Sequence, residues 1–168
     1  MSHFLRFMIC FDLLLVLSGC GPTSTPAESL ASSFTAPREV FSANQCGYKK
    51  PSAELIKTSS DWASWLARLG HSAAAKQWQP EESLLLVVAA GRKSTAGYRL
   101  ILRQQSRTQL QFELVRYGQI QAQIITSPCL AVAIDQAAFN QLEKIVIDYQ
   151  GELLFATQAR EIRSLWGD

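Results

Sequence analysis

A chain of 168 residues with 48% hydrophobic and 18% charged residues can bury a core, which excludes an intrinsically disordered protein. The formal net charge is +2, and no run of lysine or arginine follows a helix face or a loop, so no nucleic-acid partner is expected. The length beyond the N-terminal segment suits one domain.

Arg6 opens a positive segment, residues 7–17 are mostly apolar, and the run closes on Leu17-Ser18-Gly19-Cys20. This pattern resembles a bacterial lipoprotein signal peptide with its lipobox. In that class a lipid joins the cysteine thiol and the chain is cut just before it. Small residues at Ser18 and Gly19 let an extended backbone enter a peptidase groove. Asp12 interrupts the apolar run, and a carboxylate costs roughly 2.5–3.5 kcal/mol at the centre of an inserted helix. The run is also shorter than the roughly 20 apolar residues of a spanning helix. An uncleaved interfacial segment, or an ordinary signal that contains a cysteine, are the alternatives. Gly21, and not Asp, follows Cys20. In the proteobacterial lipoproteins it resembles, this implies an outer-membrane lipoprotein facing the periplasm.

The expected organisation is therefore a signal peptide over 1–19, a flexible tether over 20–37 and a globular domain over 38–168. Ser, Thr, Pro and Ala dominate from Gly21 to Pro37, with no periodicity. The domain opens on an extended segment at Arg38-Glu39-Val40-Phe41 that runs toward Cys46. Gly47-Tyr48-Lys49-Lys50-Pro51 then reads as a loop, because Pro51 disfavours a helix there.

Cys10 leaves with the signal and Cys20 carries lipid, so Cys46 and Cys129 remain in a compartment that favours disulfides. A bridge between them closes a long loop, worth about 4 kcal/mol in the chain-entropy model. Two separate buried thiols are the alternative. No metal site is expected: the cysteines lie far apart and His71 is the one histidine of the mature chain.

Trp62, Trp65, Leu66 and Leu69 recur at helical spacing after Thr58-Ser59-Ser60-Asp61. Ser59 or Ser60 is the expected cap, Asp61 complements the helix dipole, and Gly70 stops the helix. The tryptophans read as a core-facing stripe, with a carbohydrate platform as the rarer use. A second short helix is expected over Ala73–Trp78, before Pro80.

Leu84–Ala90 is a continuous apolar run of strand length, suited to burial on both faces. The loop Gly91–Gly97 follows. Tyr98, Leu100 and Leu102 then alternate with Arg99 and Arg103, and Leu110–Leu114 alternates in the same way. Ser106-Arg107-Thr108 is the expected hairpin connection, with Arg99 and Arg103 opposing Glu113. Gln119–Ile125 and Cys129–Ile134 read as further strands, and Asp135 as the cap of a helix over Gln136–Leu142. Lys144–Asp148 and Glu152–Ala156 read as a last hairpin turning at Tyr149-Gln150-Gly151. The pattern beyond Thr157 selects no element.

Gly91-Arg92-Lys93-Ser94-Thr95-Ala96-Gly97-Tyr98 after an apolar strand, and Thr126-Ser127-Pro128 before Leu130–Ile134, resemble the PrcB C-terminal-domain family. Its pattern is G-x-x-x-T-G-G-Y followed by S-P-Y and an apolar strand. Ala96 stands in place of the first paired glycine and Cys129 in place of the tyrosine. The resemblance covers roughly residues 83–135. It implies a β-rich domain of an envelope lipoprotein, named after a protein that associates with a surface protease complex. The cysteine at 129 fits a local disulfide variant.

Gly91, Arg92, Lys93, Ser94, Thr95, Gly97 and Tyr98 form the candidate protein-binding loop, since β domains often carry function on loops. A plain structural connection is the alternative. Lys93-Ser94 is no phosphate loop, because Arg92 stands where glycine is required. No G-x-S-x-G elbow occurs, and adjacent Glu81 and Glu82 point apart in an extended chain. No catalytic residue and no cofactor is expected.

The expected fold is α+β, a β-rich antiparallel sheet or sandwich with one amphipathic helix near its start. The expected function is a lipid-anchored binding or accessory protein, as a subunit of a protease or other envelope complex. The alternative function is a loop-based protease inhibitor that uses residues 91–97; hydrolysis through Cys129 and His71 is a third. Intact mass of the protein extracted from cells is expected to lack residues 1–19 and to carry fatty acyl groups. Retention of that segment without acylation overturns the envelope assignment.

Overall fold

The computed structural model describes residues 35–71, 78, 83–118 and 123–165. The signal segment, most of the tether, Glu81-Glu82 and, apart from Trp78, the helix expected over Ala73–Trp78 lie outside the described residues. In chain order the elements are β1 (Arg38–Ala43), β2 (Pro51–Ile56), α1 (Ser59–Arg68), β3 (Leu84–Ala90), β4 (Tyr98–Gln105) and β5 (Gln109–Arg116). They continue with β6 (Cys129–Ile134), α2 (Gln136–Gln141), β7 (Lys144–Tyr149), β8 (Glu152–Gln158) and α3 (Ala159–Leu165). No helix among the described residues is long and apolar enough to cross a membrane.

The strands form two four-stranded sheets, ordered β1-β6-β3-β2 and β4-β5-β7-β8. The first is antiparallel throughout. The second is mixed, because β5 and β7 pair in parallel. Between them the chain passes through β6 in the other sheet and then α2, a crossover long enough to bring it back in the same direction. The molecule is thus the expected β-rich α+β fold, with one parallel pair inside it.

Every residue of β3 and β6 is buried. Alternate side chains explain how. Leu84, Leu86 and Val88 of β3, with Leu130, Val132 and Ile134 of β6, share one core with Leu100, Leu110, Phe112 and Leu114 of the second sheet. The opposite face of β3 and β6 carries Leu85, Val87, Ala89, Ala131 and Ala133 against Trp62, Trp65 and Leu66 of α1. The alanines leave room for the indoles, so large side chains on the helix meet small ones on the sheet. Trp62 and Trp65 stack with ring centroids 5.1 Å apart, and Phe41 meets Trp65 edge-on at 5.5 Å. The stripe is core, as the spacing predicts.

Local details correct several expectations. Thr58, not Ser59 or Ser60, caps α1: its hydroxyl oxygen accepts from the Asp61 amide at 3.1 Å. At the other end the Gly70 amide donates to Ala67 and the His71 amide to Leu66, a Schellman closure with Gly70 at φ +74°. Arg103 pairs with Glu113 as expected, but Arg99 does not join them. It reaches Glu39 of β1 at 3.0 Å, a bond between the two sheets. A bulge between Leu102 and Gln104 re-aims the end of β4. β2 is a strand that the sequence pattern does not announce: it is an edge strand with Pro51 at its first position, where the missing amide is tolerated. Gln123–Ile125 has no regular structure, so the strand expected over Gln119–Ile125 is not formed in its described part.

Asp135 caps α2, accepting from the amides of Ala137 at 2.7 Å and Ala138 at 3.4 Å. The β7–β8 hairpin turns on Gln150 at φ +53° and Gly151 at φ +82°, the paired positive angles that match strand twist. Leu86→Ala, in the core between the sheets, is expected to cost about 2–5 kcal/mol of unfolding free energy in a urea titration. Leu153→Ala, on the exposed start of β8, is expected to change it by less than about 0.5 kcal/mol.

Candidate functional site

β1 and β3 both end where β6 begins: Ala43 and Ala89 each pair with Cys129. β2 starts at the same end, Pro51 opposite Ala90. The segments 44–50, 91–97 and 123–128 therefore meet beyond one edge of the first sheet. Their backbone groups have left the ladder and need other partners.

They find them in one another. The Lys93 amide donates to Thr126 at 2.8 Å and the Thr126 amide returns to Lys93 at 3.0 Å. Ser127 donates to Asn44 at 2.8 Å, and Cys46 donates to Ser127 at 2.9 Å. Arg92 donates to Lys49 at 3.4 Å and Tyr117 to Gly97 at 2.7 Å. Side chains complete the junction. The Thr126 hydroxyl donates to the Thr95 carbonyl at 3.0 Å, and the Ser127 hydroxyl to the Tyr48 carbonyl at 2.9 Å. Thr126 and Ser127 are the two buried polar residues among the described ones. Each buried hydroxyl thus ties the 123–128 segment to one of its neighbours.

Gly91 is required twice over. Its φ is +72°, and a Cβ there would lie 2.8 Å from both the Lys50 carbonyl carbon and the Pro51 nitrogen. The sulfurs of Cys46 and Cys129 stand at disulfide distance with Cα atoms 6.0 Å apart, pinning the 44–50 loop to the first residue of β6. Gly91–Tyr98 and Thr126-Ser127-Pro128 are therefore one structural unit. Tyr98 closes it, its ring 5.8 Å from that of Tyr149 and beneath the Arg116 guanidinium at 5.8 Å.

Large apolar side chains are exposed on the outside of this junction. Ile124 is 53% exposed, Ile125 61% and Tyr117 57%, and of the exposed large hydrophobic residues described only Leu153 lies elsewhere. Arg92 and Ser94 are exposed, whereas Lys93, Thr95, Gly97 and Tyr98 are half-buried and Gly91 is buried. The candidate loop is thus a shelf tied by hydrogen bonds to the 123–128 segment, with Ile124, Ile125 and Tyr117 exposed beside it. The sequence reading assigns Ile124 and Ile125 to a strand and leaves Tyr117 unassigned. Only their placement outside both sheets shows them to be surface.

Beside the shelf a groove of about 550 Å³ runs between α1 and the 44–48 segment, lined in part by Tyr48, Glu54, Trp65 and Arg68. The Trp65 indole donates to the Tyr48 hydroxyl at 2.9 Å, which donates to Glu54 at 2.8 Å. Burial pushes the Tyr48 phenol well above its ordinary value, and the indole bond offsets part of that rise. No group of three or more His, Cys, Asp or Glu side chains converges among the described residues. His71 packs its ring on Phe41 at 5.3 Å, and the sulfur of Cys129 faces that of Cys46 at disulfide distance.

The chain matches no family model, no curated protein and no solved structure. The junction therefore has to be read from its own chemistry. Ser127→Ala removes the tie to Tyr48 and leaves that part-buried carbonyl without the Ser127 donor. It is expected to lower unfolding free energy by about 1–3 kcal/mol in a denaturant titration, with Gly91→Ala more damaging still.

Proposed function

We propose that this protein is a lipid-anchored accessory protein of the bacterial envelope that binds a protein partner through the face built on residues 91–98. The observation that carries the reading is the exposure of Ile124, Ile125 and Tyr117 on a frame held rigid by hydrogen bonds and a cysteine pair. Exposed apolar side chains grouped together mark interaction sites, and a frame ordered beforehand reduces the entropy lost on binding.

The paired cysteines fit an oxidising compartment, as the Leu-Ser-Gly-Cys segment ending at Cys20 requires. β1 begins at Arg38 and runs toward the junction, so the domain enters from the other end of the sheet, roughly 20 Å away for six residues of strand. The resemblance to the PrcB C-terminal-domain family supports a role beside a protease complex. The inhibitor reading is weaker. Both main-chain groups of Lys93 are committed to Thr126, which leaves the loop no free edge at that residue to pair inside a cleft.

Crosslinking in intact cells, followed by purification of the full chain, is expected to recover one stoichiometric protein partner. Ile124→Ser combined with Ile125→Ser is expected to reduce that recovery at least about tenfold while leaving the melting temperature in place. Recovery of no partner by the unaltered protein counts decisively against the reading.

A further inference from the structure

Lys49-Lys50 and Arg92-Lys93 are separate dipeptides in the sequence, and the fold puts them side by side. The Arg92 amide donates to the Lys49 carbonyl, and the Gly91 Cα approaches Lys50 so closely that no side chain fits between them. Lys49, Lys50 and Arg92 are exposed and Lys93 is half-buried. The two ion pairs among the described residues, Arg99 with Glu39 and Arg103 with Glu113, use none of these four cations. The Glu54 carboxylate accepts from the Tyr48 hydroxyl and pairs with none of the four. Lys93 in turn pairs with Thr126, next to Ile125. A chain of net charge +2 therefore gathers four uncompensated cations beside its exposed isoleucines.

From this we infer that the partner docks an acidic protein surface onto the Lys49-Lys50-Arg92-Lys93 cluster, with Ile124 and Ile125 as the apolar centre of the contact. The inference rests on the accessory-protein reading and adds the chemistry of the partner to it. Like charges held together by a rigid backbone repel until an opposite surface arrives, so they steer association and select against basic competitors. An anionic lipid surface is the competing occupant. The accessory-protein reading already assigns this face a protein contact, and the bilayer is an outcome of the test below.

The test uses the full chain in mild nonionic detergent, with a fluorescent polyglutamate peptide as probe. The peptide is expected to bind, to be released as salt rises, and to bind about tenfold more weakly to the Lys49→Gln, Lys50→Gln, Arg92→Gln variant. A control variant, Arg107→Gln with Arg160→Gln, removes two exposed cations elsewhere and is expected to bind as the unaltered protein does. Equal loss in both variants, or loss in neither, overturns the proposal. Binding of phosphatidylglycerol vesicles in preference to the peptide overturns the protein occupant in favour of a membrane.

A photoreactive residue at Ile125 in cells separates the two readings. An adduct that fades in the triple variant, with its melting temperature unchanged, supports the inference. An adduct of full yield in that variant sinks the acidic partner but leaves the contact face standing. Absence of any protein adduct in the unaltered chain sinks both.

Discussion

Two adjacent strands with no exposed residue, β3 and β6, set the terms for everything around them. A strand pair of this kind needs apolar cover on both faces, and the chain provides it in two different ways. One face receives a second sheet, the other a single helix. The helix is only ten residues long, and it succeeds because Trp62 and Trp65 carry large apolar areas onto a sheet face made shallow by alanines. Smaller residues at those helical positions would leave β3 and β6 half uncovered.

The same burial creates the problem solved at the junction. Where β1 and β3 leave the sheet and β6 enters it, main-chain groups lose their ladder partners next to a dry core. An unpaired buried amide or carbonyl costs a few kcal/mol, so the three segments must satisfy one another or stay wet. Thr126 and Ser127 are the polar side chains admitted into this region, and each hydroxyl is spent on a neighbouring carbonyl. Gly91 lets the 91–97 segment approach the Lys50–Pro51 backbone, and the cysteine pair brings the 44–50 loop to the start of β6. What results is a surface loop cluster with the rigidity of a core. Ile124 and Ile125 contribute nothing to that rigidity through their side chains, which point away from it into solvent.

How much of this was legible depends on whether the signal is local. β3 and β6 announce themselves because strands buried on both faces have no polar alternation, and α1 because four apolar residues keep helical spacing. The β7–β8 turn is written in Gln150-Gly151. β2 is silent: an edge strand that carries Pro51, Ser52 and Glu54 has neither a continuous apolar run nor clean alternation. The parallel pairing of β5 with β7 is silent too, since it depends on β6 having been captured by the other sheet. Arg99 is misjudged for the same reason. Its cross-strand neighbour is read from the hairpin, while its actual partner, Glu39, belongs to a strand sixty residues earlier.

The candidate site shows the limit most sharply. Both of its motifs are visible in the sequence as short patterns, and nothing in either states that Lys93 and Thr126 pair. Once they do, features with no meaning along the chain acquire one. Two unremarkable basic dipeptides become a single charged patch, and an apolar pair that reads as strand becomes an exposed tip. The combination of charge and hydrophobicity at this end is a property of the junction, not of any segment, because two segments supply the cations and the third supplies the isoleucines. The face therefore exists only while the hydroxyl ties and the cysteine pair hold the three loops in register. The shape of this face and the satisfaction of the main-chain groups beneath it rest on the same few bonds.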